Sequence, residues 1–283
     1  NAVKYFSEGN IEKAEENFQI ALSNKPDNLS TLKYLAQIAI AKQNLPMIKF
    51  YYDKVLELDS NDEDALISLG VIYLNNGNIK SAEELFIKAV NNQPDNELAL
   101  FNLGVLYATI GEFSKAVNTL NKLISTNPNN GEYYQTLGMY YLTQGIFTKA
   151  EFNFLKALKL DTKLIEARKG LIILYQNQNE LNKSSKLINE LEAISPDLQY
   201  LNILKANQHY LREEINSAIK YALAEISKYP DEPDAYFLLN DLYRVNGDFL
   251  KAENTLIKAK KNSSRNYTSF YSLLKMELIT NNK

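Results

Sequence analysis

The chain has 283 residues, 45% of them hydrophobic, and a formal charge of −3. That apolar share is enough for a buried core, and the charge argues against a general nucleic-acid binder, which carries a strong basic excess. Without cysteine and with one histidine, a disulfide framework, cysteine catalysis and a cysteine-ligated metal are excluded.

The chain opens with NAVKYFSEGN, partway through a helical pattern, as a sequence trimmed from a longer one would. No signal peptide is visible at the start. No uninterrupted apolar run reaches the roughly 18 residues that a membrane-spanning helix needs. These features favour the cytoplasm, with a periplasmic or membrane-anchored location open if an N-terminal segment was removed.

Prolines then mark a beat along the chain. Pro26, Pro94, Pro128, Pro196 and Pro230 are spaced by 68, 34, 68 and 34 residues, and Ser60 and Thr162 fill the skipped positions. Gly9, Gly77, Gly111, Gly145 and Gly247 keep the same period. Fixed self-similarity of this length signals a repeat array, in which each unit needs only its neighbours. The beat sets a truncated unit at 1–28 and full units at 29–62, 63–96, 97–130, 131–164, 165–198, 199–232 and 233–266. An extra helix over 267–283 follows, as a cap or the start of another unit. The whole is expected to form a single array.

Each unit reads as two helices. In 97–130, Leu100, Leu103, Leu106 and Tyr107 recur at helical spacing, and so do Phe113, Ala116, Val117, Leu120 and Leu123. Gly111 punctuates the turn between them, and Pro128 ends the second helix. Pro46 falls in the first turn of its helix, where a missing N–H costs little. Leu35, Leu69, Leu103, Leu137, Leu171 and Leu239 should be knobs between paired helices. Gly70, Gly104 and Gly138 follow some of them and let helices close up. Tyr73, Tyr107, Tyr141, Tyr175 and Tyr243 should fill the interior.

Two units depart from the pattern. In 165–198, Arg168 takes an apolar position, Asn179 replaces the turn glycine and Ser184 an alanine. In 199–232, His209 replaces the tyrosine, Glu213 the glycine and Glu225 an alanine. Such departures read as drift that a solenoid tolerates, or as a local change of pitch. The basic cluster Lys258, Lys260, Lys261 and Arg265 reads as compensation of a helix dipole.

The stretch ALFNLGVLYATIGEFSKAVNTLNKLISTNPNN, from Ala99 to Asn130, carries leucine, glycine, tyrosine, glycine and alanine in a phase that returns at 63–96 and 131–164. In this the chain resembles the tetratricopeptide repeat family, and the resemblance covers almost its whole length. It implies an all-α fold, a right-handed superhelical solenoid of helix-turn-helix repeats of about 34 residues. It also implies that the first helices line a concave groove.

Chemistry finds little footing in these residues. No phosphate-cradling G-x-x-x-x-G-K-[ST] and no dinucleotide G-x-G-x-x-G is present. His209 reads as a packed inter-helix residue. No enzyme activity, catalytic residue, cofactor or metal is expected.

The resemblance places Ile67, Val71, Phe101, Asn102, Val105, Gln135, Met139, Ile173, Tyr200, Ile203, Tyr210 and Phe237 along the groove. Apolar residues where solvent is expected mark an interaction site. Asn102 and Gln135 could bond a bound peptide backbone. The lysines and asparagines that hold acidic chaperone tails in some members are not in place. The expected function is a non-enzymatic scaffold that binds a peptide or amphipathic helix of another protein. The alternative is a substrate-recruiting or regulatory segment of a larger enzyme or membrane-anchored assembly factor. Self-association is a third expectation, and neither nucleic acid nor a membrane span is expected.

Overall fold

The computed structural model describes residues 1–262, without the side chain of Lys260. The expected helix over 267–283, and Arg265 of the basic cluster, lie outside the described residues. Sixteen helices and no strand are found among the described residues. None of the helices is long and apolar enough to cross a membrane.

They run α1 (Ala2–Ser7), α2 (Ile11–Asn24), α3 (Leu29–Ala41), α4 (Leu45–Leu58), α5 (Glu63–Asn75), α6 (Ile79–Asn92), α7 (Glu97–Thr109) and α8 (Phe113–Thr126). Then follow α9 (Gly131–Thr143), α10 (Phe147–Leu160), α11 (Ile165–Asn177), α12 (Leu181–Ile194), α13 (Leu201–Leu211), α14 (Ile215–Lys228), α15 (Pro233–Val245) and α16 (Phe249–Asn262). The helices fall into two compact units, Asn1–Pro128 and Asn129–Lys283.

From α3 onward a first helix of 13 residues alternates with a second of 14, except that α13 has 11. The turn inside each repeat obeys one backbone rule. Gly9, Gly77, Gly111, Gly145 and Gly247 all have φ between 69° and 80°. Gln43, Asn179 and Glu213 hold the same place in their repeats, and they too have positive φ, at 53°, 56° and 63°. The conformation is therefore periodic even where the residue is not. The reason is a Schellman-type closure. The amide of Asn78 donates to the carbonyl of Tyr73 at 2.8 Å, that of Glu112 to Tyr107 at 2.9 Å and that of Glu214 to His209 at 2.9 Å.

The recurrent letters pack as their sizes require. Leu35, Leu69, Leu103, Leu137, Leu171 and Leu239 are all buried. A Cβ on Gly70 would stand 2.5 Å from the Phe86 ring, and one on Gly138 would stand 2.7 Å from Phe154. Glycine is obligatory there because a ring from the second helix fills the space. Tyr107, Tyr141 and Tyr175 are buried, while Tyr73 and Tyr243 are partly exposed. A lysine eight residues on lies over several of these rings, Lys115 over Tyr107 at 5.0 Å and Lys183 over Tyr175 at 4.8 Å.

Capping differs between the units. Helices α2 to α7 each start on an Asn or Asp whose side chain accepts from a backbone amide, as Asn28 does from Thr31 at 2.9 Å. Each such cap contributes about 1 kcal/mol. From α10 to α15 no N-cap side chain makes that bond. Two of these helix starts are capped from elsewhere in the second unit. The Gln135 Oε1 on α9 accepts from the Ala167 amide of α11 at 3.1 Å. The Glu225 carboxylate on α14 accepts from the Tyr200 amide at the start of α13.

Candidate functional site

In the first unit the expected groove residues lie on α5 and α7, which pack together. Phe101, Asn102 and Val105 are half-buried on α7, and Val71 is half-buried on α5. Ile67 is 6% exposed, so it belongs to the interior and not to a surface. The structure adds Leu98, which is 58% exposed. It stands three residues before Phe101 and seven before Val105, on one helical face. The signal was present in the sequence, since Leu98 is the second residue of its helix and faces the groove by the same register. Asn102 donates to the Leu98 carbonyl at 2.8 Å and Thr109 to Val105 at 2.9 Å. The polar atoms of this face are thus partly satisfied within the helix, and its outward character is apolar.

Lys33, on α3, reaches the start of α5. Its ammonium meets Asp62 at 2.9 Å and Asp64 at 2.6 Å. Burial pulls its pKa down, but the hydrogen bonds to Asp64 and Asp62 outweigh burial and hold it above the usual lysine range.

In the second unit several expectations are corrected. Ile173 and Ile203 have no exposed surface. Helix α11 packs on α9, α10, α12 and α13, so every residue from Ala167 to Gln176 is buried. Gln135 does not offer its amide oxygen to a guest, because that oxygen caps α11. Met139, Tyr200, Tyr210 and Phe237 remain half-buried. Tyr200 has φ 73° and lies under the Lys169 ammonium at 5.0 Å, and its hydroxyl donates to Glu232 at 3.3 Å. Burial pushes its hydroxyl pKa up, and the charges of Asp234 and Glu232 add to that.

His209 packs between helices as expected but is not fully buried. It is partly exposed, stacks on Tyr221 at 5.1 Å and pairs through Nδ1 with Glu214. Beside it runs a polar seam that sequence reasoning missed. Gln176, only 1% exposed, donates to the Leu204 carbonyl at 2.9 Å and accepts from Asn207 at 2.8 Å. Gln208 accepts from Ser184 at 2.7 Å and donates to the Leu181 carbonyl at 2.9 Å. Ser184, one of the letters that break the repeat, is thus satisfied by Gln208.

Glu225 carries a testable consequence. Its carboxylate is almost fully buried, and one oxygen, Oε2, makes no hydrogen bond. Burial pushes its pKa up, partly opposed by hydrogen bonds from Tyr200 and Asn202. A raised folded pKa gives stability that is full below the unfolded value, near 4.3, and that is lost as pH rises through the folded value. Glu225→Gln removes this titration. The stability of the wild type relative to E225Q should therefore fall as pH rises above about 4 in urea melts. A difference that stays constant with pH would overturn the assignment.

Helix pairs of 34 residues, a left-handed turn residue in each and small residues facing second-helix rings are now in view. Sequence profiles described as tetratricopeptide repeat match residues 51–84, 82–138 and 131–164. The span 51–164 is made of tetratricopeptide repeats. No curated protein matches it in sequence. Among solved structures it is similar to a tetratricopeptide repeat protein from Parabacteroides merdae ATCC 43184, with 22% identity and a TM-score of 0.73, covering 89% of this chain and 99% of that one. It is also similar to PilW, a widely conserved type IV pilus biogenesis factor, with 18% identity and a TM-score of 0.61, covering 71% of this chain and 93% of that one. YrrB, a TPR protein with an unusual peptide-binding site, matches with 22% identity and a TM-score of 0.52, covering 68% of this chain and 99% of that one. These likenesses establish the fold. A tetratricopeptide fold is in general that of a protein–protein interaction scaffold, and such proteins are in general not enzymes.

Proposed function

We propose that this tetratricopeptide protein is a non-enzymatic scaffold that holds an amphipathic helix or extended apolar segment of another protein on its first helices. The observation that supports it is the face of α7. Leu98 is largely exposed there, and Phe101 and Val105 are half-exposed one turn apart. None of the three is among the residues that close the helix pair, since Leu100, Leu103 and Gly104 do that. Exposed apolar side chains at this spacing suit a helix-in-groove contact, whose partner would carry its own anchors at helical spacing. The peptide-binding site named for YrrB agrees with this reading.

The test is Phe101→Glu with Val105→Glu. Both side chains are part-exposed, so helicity and the thermal midpoint should stay within a few degrees of the wild type. Affinity for the captured partner should fall about 100-fold or more, the loss expected when two central anchors are charged. Quantitative capture from the source cell, followed by titration of the partner recovered, reads the result. A partner bound equally by both proteins would overturn α7 as the contact.

A further inference from the structure

A cavity of about 520 Å³ opens in the second unit where α11, α13 and α15 end. Its size falls within the roughly 300–1,000 Å³ of ligand sites. Asn177, Leu211 and Val245 are the last residues of those three helices, and all three line it. Three helix C-termini therefore face one space, and each brings carbonyl groups that carry partial negative charge. Glu213 supplies a carboxylate to the same wall, and among the described residues no lysine, arginine or histidine lines it. The adjacent Arg212 turns elsewhere, donating to Ser185 at 2.8 Å.

The turns add a second observation. In five repeats the left-handed turn position is glycine, which adopts φ > 0 without strain. Here Asn179 and Glu213 occupy it, at φ 56° and 63°, and both line the cavity. The turns thus bring an amide and a carboxylate to the cavity wall where the other repeats but one have no side chain. The walls complete the picture. Tyr210 presents a ring, and Leu211 and Val245 present apolar surface. The Asp241 charge adds to burial in keeping the Tyr210 hydroxyl protonated.

We infer that this cavity takes a cationic side chain, lysine or arginine, from a partner segment seated on the second unit. The inference rests on the scaffold reading above and names one chemical requirement of the partner. The aliphatic stem would lie along Leu211 and Val245 and the Tyr210 face. The charged head would meet Glu213, the Asn177 and Asn179 amides and the last carbonyls of the helices. Charge and ring attraction act together in such a site.

The experiment titrates the isotopically labelled full chain with N-acetyl-arginine methylamide and N-acetyl-lysine methylamide. The norleucine and glutamate analogues are the controls. Amide shifts should saturate at Asn177, Asn179, Tyr210 to Glu213 and Val245, with a dissociation constant of about 1 mM or tighter, as the size of the probe allows. Norleucine should bind at least tenfold more weakly, and glutamate should not bind. Glu213→Gln should weaken the basic probes about fivefold to tenfold. Glu213→Gly should weaken them as much while raising the unfolding midpoint, because it relieves the left-handed strain. Equal binding of norleucine, preference for glutamate, shifts elsewhere, or unchanged affinity in E213Q would each overturn the inference. These readouts involve only the second unit. Their failure would leave the Phe101 and Val105 result standing, and the reverse also holds.

Discussion

Replacing Phe154 by alanine is expected to cost about 3–5 kcal/mol of stability, the usual loss for a fully buried phenylalanine. Phe154 has no exposed surface. Its ring lies beneath two first helices of the second unit. A Cβ on Gly138 would stand 2.7 Å from the ring, and one on Gly170 would stand 2.3 Å from it. The ring and the two glycines are therefore one packing decision. Gly170→Ala alone should cost about 1–3 kcal/mol, because the ring has to move off its position. In the Phe154→Ala background the same change should stabilise. The new methyl group then enters empty space, and alanine is favoured over glycine in a helix by about 1 kcal/mol. Chemical denaturation of the four proteins measures the cycle. If the two costs simply add, the ring does not dictate the glycine.

The second large effect is expected at the polar seam. Gln208→Leu should cost about 3 kcal/mol or more. It would leave the Ser184 hydroxyl without its acceptor and take from Gln176 one of the two acceptors of its amide, both in a buried place. Each orphaned buried group costs about 1–3 kcal/mol. Hydrophobicity alone predicts the opposite, because leucine buries more apolar area. The paired change decides between them. Ser184→Ala with Gln208→Leu, Gln176→Leu and Asn207→Leu removes the polar partners together, since Asn207 donates to Gln176, and restores alanine at the position where other repeats have it. That quadruple variant should recover most of the loss, since an apolar replacement of a whole network is often neutral. Thermal melting reads both. A single substitution costing under about 1 kcal/mol would show that the seam is not tightly coupled.

The same contrast explains what was legible at the candidate site. Phe101 and Val105 could be placed by register, because α7 keeps the repeat pattern and its closing residues are the expected Leu103 and Gly104. Leu98 was available by the same register. Ile173 and Ile203 could not be judged in that way. They have the right phase, but whether an apolar side chain meets solvent depends on neighbouring helices, and α11 is covered on all sides that count. Gln135 and Glu225 had a further ambiguity. A polar residue at a first-helix or second-helix position reads as surface chemistry or drift until the unpaired helix start beside it is seen.

The sequence by itself determined the repeat. Its period, the two helices in each unit, the interior leucines and the glycines at turns follow from spacing, backbone sterics and residue volume, all local to a helix pair. The left-handed conformation at Gln43, Asn179 and Glu213 also follows from the period, since the closure of the turn imposes it whatever the residue. Only the tertiary structure decided which groove residues keep an exposed face, how Gln176, Ser184, Asn207 and Gln208 satisfy one another, and that three helix ends meet at a cavity. Those outcomes depend on contacts between residues about 20 to 35 positions apart. A single sequence specifies such contacts without displaying them, because burial and hydrogen bonding belong to pairs of surfaces and not to positions in a chain.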